Sequence, residues 1–213
     1  MTSQRTRDRM VQRLRQKGIQ DDRVLTAMGI MPRHLFVDEA LATRAYEDDA
    51  LPIGHGQTIS QPYIVARMTE IILSDGMPDR VLEVGTGSGY QAAILSAVVK
   101  KVYSVERIVG LLRQARGRFN RLGIRNIVLK HSDGSWGWSE YAPYEAIVVT
   151  AAPEEVPESL LLQLTIGGKM VIPVGSKQEN QRLMVIVREQ EGFMCQELDD
   201  VRFVPMLHGA VNR

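Results

Sequence analysis

The 213-residue sequence predicts an α/β protein built on a Rossmann-like, doubly wound sheet that is mostly parallel. An apolar run at 81–84 leads directly into a glycine-rich turn and then into a helical pattern. Strand and helix patterns alternate from there to about residue 174, which is typical of parallel strands joined by right-handed crossovers. Two later apolar runs, 183–188 and 193–203, flank Glu191 and Gly192 and predict a C-terminal antiparallel hairpin.

Three helical patterns precede the first strand of this sheet. The first places Met10, Val11 and Leu14 on one side, the second begins at Asp21 as its N-cap, and the third covers about 32–41. We expect these helices to form an N-terminal cap over the edge of the sheet at which ligands bind. The first helix is basic on its polar side, at Arg5, Arg7, Arg9, Arg13, Arg15 and Lys17. A transit peptide or a nucleic-acid-binding arm would have this bias, but a solvated helix face is favoured because the second helical pattern follows with no linker.

The stretch from about 46 to 61 has no clear periodicity and predicts a long loop. Long structureless loops in compact domains are usually functional. A helix is expected from Pro62, because proline is favoured in the first helical turn, and either Ser60 or Gln61 would cap it.

The turn after the first sheet strand reads V-L-E-V-G-T-G-S-G-Y at 81–90. Glycines let the backbone approach a ligand, and the free N–H groups of the following helix favour an anion. A dinucleotide-binding turn would need a third glycine at position 90, where Tyr90 stands. An acid inside the first strand and another ending the second strand, where a ribose-binding acid belongs, favour S-adenosylmethionine over a nicotinamide or flavin nucleotide. The predicted cofactor-binding residues of this region are Glu83, Gly85, Thr86, Gly87, Ser88, Gly89 and Glu106.

The remaining elements follow in regular alternation. A helix over 111–122 leads to a third strand at 126–130, a fourth strand covers 146–150, and a helix near 157–164 precedes a strand at 167–174. Ligands of doubly wound sheets lie beyond the carboxyl ends of the strands. Asp133 and Gly134, in the loop after the third strand, are therefore predicted to bind the cofactor, with Asp133 accepting a hydrogen bond from the adenine amino group. An Asx turn before the glycine is the alternative interpretation of Asp133.

Composition restricts the class of partner. A formal net charge of +1 gives no electrostatic reason to expect nucleic acid or an anionic membrane as a partner. The single cysteine, Cys195, suits a reducing compartment, and no apolar run has the length of a membrane span or of a secretory signal. None of the four histidines has metal-ligand or triad spacing, so no metal is expected. We expect a cytoplasmic, monomeric protein.

Several motifs together resemble one enzyme family. They are G-Q-T-I-S-Q-P at 56–62, the glycine turn at 81–90, V-E at 105–106, D-G at 133–134 followed by W-G-W at 136–138, the strand at 167–175 and R-F-V-P-M at 202–206. With these motifs the sequence resembles the protein-L-isoaspartate (D-aspartate) O-methyltransferases from about position 5 to its end. One departure is His131-Ser132, where the family commonly has His-Gly before the aspartate.

The resemblance implies methyl transfer from S-adenosylmethionine to the free carboxylate of L-isoaspartyl or D-aspartyl residues in damaged proteins and peptides. In this family the ester collapses to a succinimide, whose hydrolysis partly restores aspartate. Ser60 falls where the family has its active-site hydroxyl. A carboxylate is already ionised at pH 7, so Ser60 is expected to hold the substrate by donating a hydrogen bond rather than to act as a nucleophile.

Selection of isoaspartate over aspartate requires that the kinked backbone be recognised, because one methylene in an apolar pocket is worth only ~1–3 kcal/mol. We expect Ile53, Thr58 and Ser60 to contact the substrate backbone on one side. Val204 and Pro205 are expected to contact it on the other side.

Two other functions remain open at this point. A nucleobase-amine methyltransferase usually carries Asn or Asp before paired prolines at the end of strand four, whereas this chain has T-A-A-P at 150–153. A protein that binds the cofactor or damaged segments without turnover is the second. We expect one domain over 1–213, with N-terminal helices and a substrate loop to about 60, a cofactor-binding core over about 61–180, and a hairpin and tail over about 181–213.

Overall fold

A computed structural model describes residues 4–176 and 180–212. The helices are α1 (Gln4–Gln16), α2 (Asp22–Ile30), α3 (Pro62–Leu73), α4 (Tyr90–Ser96), α5 (Val109–Leu122) and α6 (Glu158–Leu161). The strands are β1 (Leu51–Gly54), β2 (Gln57–Ile59), β3 (Arg80–Val84), β4 (Lys101–Glu106), β5 (Ile127–His131), β6 (Tyr144–Val149), β7 (Leu164–Val174), β8 (Gln181–Arg188) and β9 (Phe193–Val201). None of the described helices has the length and apolarity needed to cross a membrane.

Seven of the strands form one sheet in the order β5-β4-β3-β6-β7-β8-β9. Neighbouring strands from β5 through β7 are parallel, whereas β8 is antiparallel to both β7 and β9. The predicted mostly parallel sheet with a C-terminal antiparallel hairpin is therefore confirmed. From β3 the chain adds β4 and β5 on one side of the sheet and then crosses to add β6 and β7 on the other side. Doubly wound folds bind ligands at this switch point between β3 and β6.

The register aligns the strand ends that meet there. Val84 at the end of β3 pairs with Val105 on β4 and with Val149 on β6. Because these strands are parallel and level, the residues that follow them lie side by side at one edge of the sheet. Those residues are the glycine turn, Glu106 and Thr150.

Both faces of the sheet are covered. Val81, Val102 and Val148 belong to an apolar cluster that includes residues of α1, α2, α3 and α4. Their neighbours Leu82 and Ile147 point to the other face, where a second cluster contains Trp138, Tyr144 and Leu160 of α6 among others. Strands buried on both faces read as continuous apolar runs, which is why the sequence shows them clearly.

The N-terminal region follows its predicted pattern for two helices but not for the third. Met10 and Leu14 of α1 are buried, and the carboxylate of Asp21 accepts hydrogen bonds from the first backbone N–H groups of α2. The continuous helix expected over 32–41 is wrong, because the chain forms two short 3-10 helices, Arg33–Phe36 and Glu39–Leu41. They are separated by extended residues, of which Asp38 accepts a hydrogen bond from the Ala40 N–H and so starts the second turn.

The long loop expected over 46–61 contains a small hairpin instead. β1 and β2 pair in antiparallel fashion, with Leu51 opposite Ile59, and both of these side chains are buried. His55 has a φ of 52°, and the glycines on either side of it also have positive φ. The apolar contacts that hold the hairpin come from distant parts of the chain, so local periodicity could not indicate it.

Capping of α3 also differs from the expectation. Gln61 occupies the N-cap position, but neither its side chain nor that of Ser60 caps the helix. The carboxylate of Asp48 accepts the hydrogen bond from the Tyr63 N–H, at 2.9 Å. No hydrogen bond within residues 4–176 and 180–212 engages the Ser60 hydroxyl, which is consequently available to a ligand.

Candidate active site

The glycine turn after β3 packs too closely for side chains at two positions. Gly85 has a φ of 97°, and a Cβ atom there would overlap Oγ1 of Thr150. Gly89 has a φ of 89°, and a Cβ atom there would lie 2.7 Å from Cζ of Phe119 on α5. L residues other than glycine are disfavoured at such φ values in any case. The turn therefore lies flat against β6 and α5, which leaves its outer side open.

Thr150 ties this turn to the end of β6. Its hydroxyl oxygen lies 2.6 Å from the Gly85 carbonyl oxygen and 3.0 Å from that of Val84, and it donates to them. Its backbone N–H also donates to the Val84 carbonyl, at 2.9 Å. The hydroxyl is therefore engaged by the turn. A threonine side chain also has no amide or carboxylate that could accept a hydrogen bond from an amine substrate.

Glu106 borders the turn on its other side. One carboxylate oxygen accepts a hydrogen bond from the Gly87 N–H at 2.8 Å, and the other accepts one from the Ile108 N–H at 2.8 Å. The residue is only 5% exposed, yet it lines the cavity described below. A carboxylate oxygen has two lone pairs, so Glu106 can still accept hydrogen bonds from a ligand with vicinal hydroxyl groups.

Glu83 lies beneath the turn and does not line the cavity. Burial raises the pKa of Glu83 to about 8, and the nearby charge of Glu106 also raises it, against a hydrogen bond with Ser104. The Ser104 hydroxyl is in turn hydrogen-bonded to the Thr86 hydroxyl, at 2.6 Å. Glu83 is therefore a neutral acid near pH 7 that supports the turn from inside the sheet.

Asp133 forms the Asx turn that the sequence offered as an alternative. One carboxylate oxygen accepts hydrogen bonds from the N–H and the hydroxyl of Ser135, and the other accepts one from the Gly209 N–H at 2.6 Å. Burial acts to raise its pKa, but the hydrogen bonds from Gly209 and Ser135 keep the pKa of Asp133 below its ordinary value. The carboxylate thus fastens the C-terminal tail, whereas the neighbouring Gly134 lines the cavity.

A cavity opens at this edge of the sheet. Its walls are the glycine turn, the end of β4, the end of β6, the exit from the β1–β2 hairpin and the C-terminal tail. Ten of the predicted site residues line it: Thr58, Ser60, Gly85, Thr86, Gly87, Ser88, Glu106, Gly134, Val204 and Pro205. Four do not, namely Ile53, Glu83, Gly89 and Asp133. Of these, Ile53 lies close by, since its Cδ1 would be 3.5 Å from a Cβ placed on Gly87.

A second, outer groove adjoins this cavity. Thr58, Ser60, Thr150 and Val204 line both spaces, while the rest of the groove is formed by the ends of β8 and β9 and by the start of α3. Ser60 is half-buried. It therefore lies where the inner cavity meets the outer groove.

The C-terminal tail is held in place by backbone bonds. The Ala152 N–H donates to the Val204 carbonyl at 2.8 Å, and the Met206 N–H donates to the Ala152 carbonyl at 2.7 Å. Further along, the Arg107 guanidinium donates to the carbonyl of Gly209 at 2.9 Å. These bonds fix Val204 and Pro205 as part of the cavity wall.

Sequence reasoning missed several residues of this site. Tyr90 and Gln91 line the cavity directly after the glycine turn, Arg107 lines it directly after β4, and Leu207 lines it from the tail. The rule for strand ends placed Thr150 at the ligand-binding edge but gave it no role in the site. Sequence also gave no role to the buried Arg33, whose bonds span distant parts of the chain.

Three features together define a methyltransferase that depends on S-adenosylmethionine. They are the parallel sheet with its switch point between β3 and β6, the glycine turn, and the acid that ends β4. A family model described as protein-L-isoaspartate(D-aspartate) O-methyltransferase (PCMT) matches residues 5–210. The chain belongs to this family.

Relatives of this family match along the whole chain. The protein-L-isoaspartate O-methyltransferase of Pseudomonas paraeruginosa is 59% identical over 211 residues, which cover 99% of this chain and 100% of the relative. The enzyme of the same name from Halorhodospira halophila is 58% identical, covering 99% of this chain and 96% of its own.

Solved structures agree with the fold. A protein-L-isoaspartate O-methyltransferase superposes with a TM-score of 0.86 at 31% identity, covering 93% of this chain and 65% of the length of that longer chain. A Plasmodium falciparum protein assigned to the same family, in complex with S-adenosyl-L-homocysteine, superposes with a TM-score of 0.79 at 27% identity, covering 94% of this chain and 98% of its own.

Proposed function

We propose that this chain transfers the methyl group of S-adenosylmethionine to the free carboxylate of L-isoaspartyl and D-aspartyl residues in damaged proteins and peptides, which starts their repair through a succinimide. Membership of the family and relatives that match over the full length support this function. The observation that carries the site assignment is the position of Ser60, which lines both the inner cavity and the outer groove.

The inner cavity suits the cofactor. When bound, S-adenosylmethionine supplies a sulfonium-activated methyl group and leaves as a neutral thioether. Gly85 and Gly89 pack against Thr150 and Phe119, and this packing leaves the backbone of residues 85–88 facing the cavity.

The carboxylate of Glu106 would accept hydrogen bonds from the ribose hydroxyls, and Gly134 bounds the adenine side. Asp133 stands next to Gly134 but behind the cavity wall, so its proposed hydrogen bond from the adenine amino group would have to share an oxygen that already accepts from Ser135 or Gly209. Glu83 supports the turn from below.

The outer groove takes the damaged polypeptide. The Ser60 hydroxyl donates a hydrogen bond to one oxygen of the substrate carboxylate, which leaves the other oxygen free to attack. Ile53 and Thr58 on the hairpin side and Val204 and Pro205 on the tail side hold the kinked backbone of the substrate. No general base is needed, because the acceptor is already an anion at pH 7.

Alignment of the substrate therefore dominates the catalysis. Positioning of two reactants can contribute ~7–11 kcal/mol in favourable cases. The apolar side chains of Ile59, Val65 and Val84 line the cavity beside Ser60 and reduce the access of water to the reacting atoms. Exclusion of water strengthens the hydrogen bond from Ser60 to the carboxylate.

We further propose that the chain acts as one domain, as a monomer in the cytoplasm, on protein and peptide substrates rather than on nucleic acid. The net charge of +1 and the single cysteine, Cys195, support this setting. Within the domain, the first 60 or so residues supply helices and the substrate hairpin, the middle supplies the cofactor site, and residues after about 181 supply the groove and tail. Positions 1–3, 177–179 and 213 of this division lie outside the described residues.

The function is tested with labelled S-adenosylmethionine and two synthetic peptides that differ only in carrying isoaspartate or aspartate at one position. Base-labile label confined to the isoaspartyl peptide is the expected result, because a carboxyl methyl ester is hydrolysed by base. Equal labelling of the two peptides would refute the proposed selectivity. Label on neither peptide, with S-adenosylmethionine bound, would indicate a binding protein or a different acceptor.

A further inference from the structure

Arg33 is a fully buried cation outside the cavity. It is 0% exposed, in the short 3-10 helix Arg33–Phe36. Burying a charge is unfavourable unless hydrogen bonds compensate, and an arginine is rarely found in such a place without a partner. Burial lowers the pKa of Arg33, yet an arginine side chain remains protonated in a protein at neutral pH. The fold thus keeps a positive charge where an apolar side chain would fill the space.

The hydrogen bonds of Arg33 converge on the backbone of the proposed substrate site. Its Nε donates to the Ala45 carbonyl at 2.7 Å, and its Nη2 donates to the Ser60 carbonyl at 2.7 Å. Ser60 lies between the end of β2 and the start of α3, and among the described residues its side chain makes no hydrogen bond that would orient it. Arg33 is therefore the side chain that fixes the peptide unit following the Ser60 hydroxyl.

The same guanidinium also contacts the cofactor side. Its Cζ lies 4.7 Å from the centre of the Tyr90 ring. Tyr90 is the first residue of α4, directly after the glycine turn, and it lines the inner cavity. One side chain thus touches the residue that follows the cofactor turn and the residue that separates the cavity from the groove.

We propose that Arg33 is a positioning residue for methyl transfer, which sets the distance between the Ser60 hydroxyl and the cofactor turn through its bonds to the Ser60 and Ala45 carbonyls and its contact with Tyr90. This inference rests on the proposed function, in which Ser60 holds the substrate carboxylate. Arg33 touches neither substrate nor cofactor and acts through Ser60. Its planar group holds two carbonyls and one ring in a fixed relation, which a lysine cannot do.

The first test is Arg33→Lys, which keeps the positive charge near Tyr90 but loses the two-armed donor. With the isoaspartyl peptide as the varied substrate, kcat should fall by about 10- to 100-fold, since a misplacement of about 1 Å can cost ~10²-fold in rate. Calorimetric affinity for S-adenosylhomocysteine should be unchanged, because the glycine turn and Glu106 are untouched. Arg33→Met, which also removes the charge, is expected to show a loss in kcat at least as large.

Arg188→Lys is the matched control. Arg188 also donates to two backbone carbonyls, those of Leu164 at 2.6 Å and Leu162 at 3.2 Å, but it lies at the end of the sheet away from the cavity. Its substitution is expected to lower Tm without lowering kcat.

Three outcomes would overturn the inference. A kcat of Arg33→Lys equal to that of Arg188→Lys, with only Tm reduced, would make Arg33 a structural residue. Loss of S-adenosylhomocysteine binding together with activity would show a collapse of the fold rather than a displaced Ser60. Failure of the unsubstituted protein to methylate the isoaspartyl peptide would remove the proposed function, and the inference with it, before any substitution is compared.

Discussion

No group in the described part of the chain bonds the Ser60 hydroxyl, because another residue caps the helix that follows it. Asp48 accepts from the Tyr63 N–H, so the serine is not needed for that helix end. A serine at a helix start is ordinarily interpreted as a cap, and its substitution would ordinarily lower stability. Here the structure separates the two roles, which makes the contribution of Ser60 to activity measurable without interference from folding.

Ser60→Ala should lower kcat/KM for the isoaspartyl peptide by about 10- to 100-fold, because a hydrogen bond to a charged group is worth ~1.5–3 kcal/mol. Tm and affinity for S-adenosylhomocysteine should stay at their original values. Ser96→Ala, at the end of α4 where the hydroxyl bonds the Ala93 carbonyl, is the control and should leave kcat/KM unchanged. A kcat/KM for Ser60→Ala equal to that of the control would exclude the role given to Ser60.

Glu83 should make the stability of the protein depend on pH in a particular direction. Its pKa rises from 4.5 to about 8 on folding, so the folded state binds its proton more tightly than the unfolded state does. The stability that this proton supports is fully present below pH 4.5 and is lost as pH rises through about 8. Glu83→Gln imitates the neutral acid and removes this dependence.

The measurement is Tm between pH 5 and pH 9 for the protein and for Glu83→Gln. The Tm of Glu83→Gln relative to that of the original protein should increase from pH 5 to about pH 8 and then level off, because above that pH Glu83 is ionised in both the folded and the unfolded state. Glu191→Gln, in the exposed turn between β8 and β9, is the matched substitution and should run parallel to the original protein. A constant difference between Glu83→Gln and the original protein at all pH values would show that Glu83 is ionised in the folded state.

At the scale of single elements, the glycine turn and the β1–β2 hairpin form the site together. The turn follows β3 in the sequence, and its role can be predicted from the residues of that segment alone. The hairpin depends on the burial of Leu51 and Ile59 against distant helices. One element is therefore specified by short-range geometry and the other by tertiary packing.

The turn provides a comparison in which backbone strain and close packing can be separated. Gly85 and Gly192 have the same φ of 97°, but a Cβ on Gly85 would overlap Thr150, whereas nothing lies within 4 Å of one on Gly192. Both alanine substitutions carry the left-handed penalty, about 1–2 kcal/mol. Only Gly85→Ala also displaces the turn.

Gly85→Ala should therefore abolish binding of S-adenosylhomocysteine, as followed by calorimetry, while Gly192→Ala loses some Tm and binds normally. Retained binding in Gly85→Ala would show that the turn does not approach the cofactor. Equal loss of binding in both variants would mean that strain alone, at any site, is enough to disturb the fold.

For the molecule as a whole, the sequence predicted the sheet and its ligand edge well because those features repeat locally. Strand patterns, the turn at 85–89, Glu106 and Gly134 could all be placed from period, spacing and the rule for strand ends. Contacts over long separations could not. Asp48 accepts a hydrogen bond from the N–H of Tyr63, 15 positions away. Arg33 donates one to the carbonyl of Ser60, 27 positions away, and Asp133 accepts one from the N–H of Gly209, 76 positions away.

These long-range contacts bring segments that are distant in the sequence together at one site. Arg33 joins the N-terminal region to the hairpin exit, Thr150 joins β6 to the glycine turn, and Asp133 joins the loop after β5 to the tail. The cavity and groove are therefore a property of the complete fold, and they meet at Ser60.

A crystal structure of the protein with S-adenosylhomocysteine and an isoaspartyl peptide tests this arrangement most directly. We expect the thioether in the inner cavity, the peptide in the outer groove, and the isoaspartyl carboxylate within about 2.6–3.2 Å of the Ser60 hydroxyl oxygen. A carboxylate bound away from Ser60, or a peptide that leaves the groove lined by Val204 empty, would contradict it.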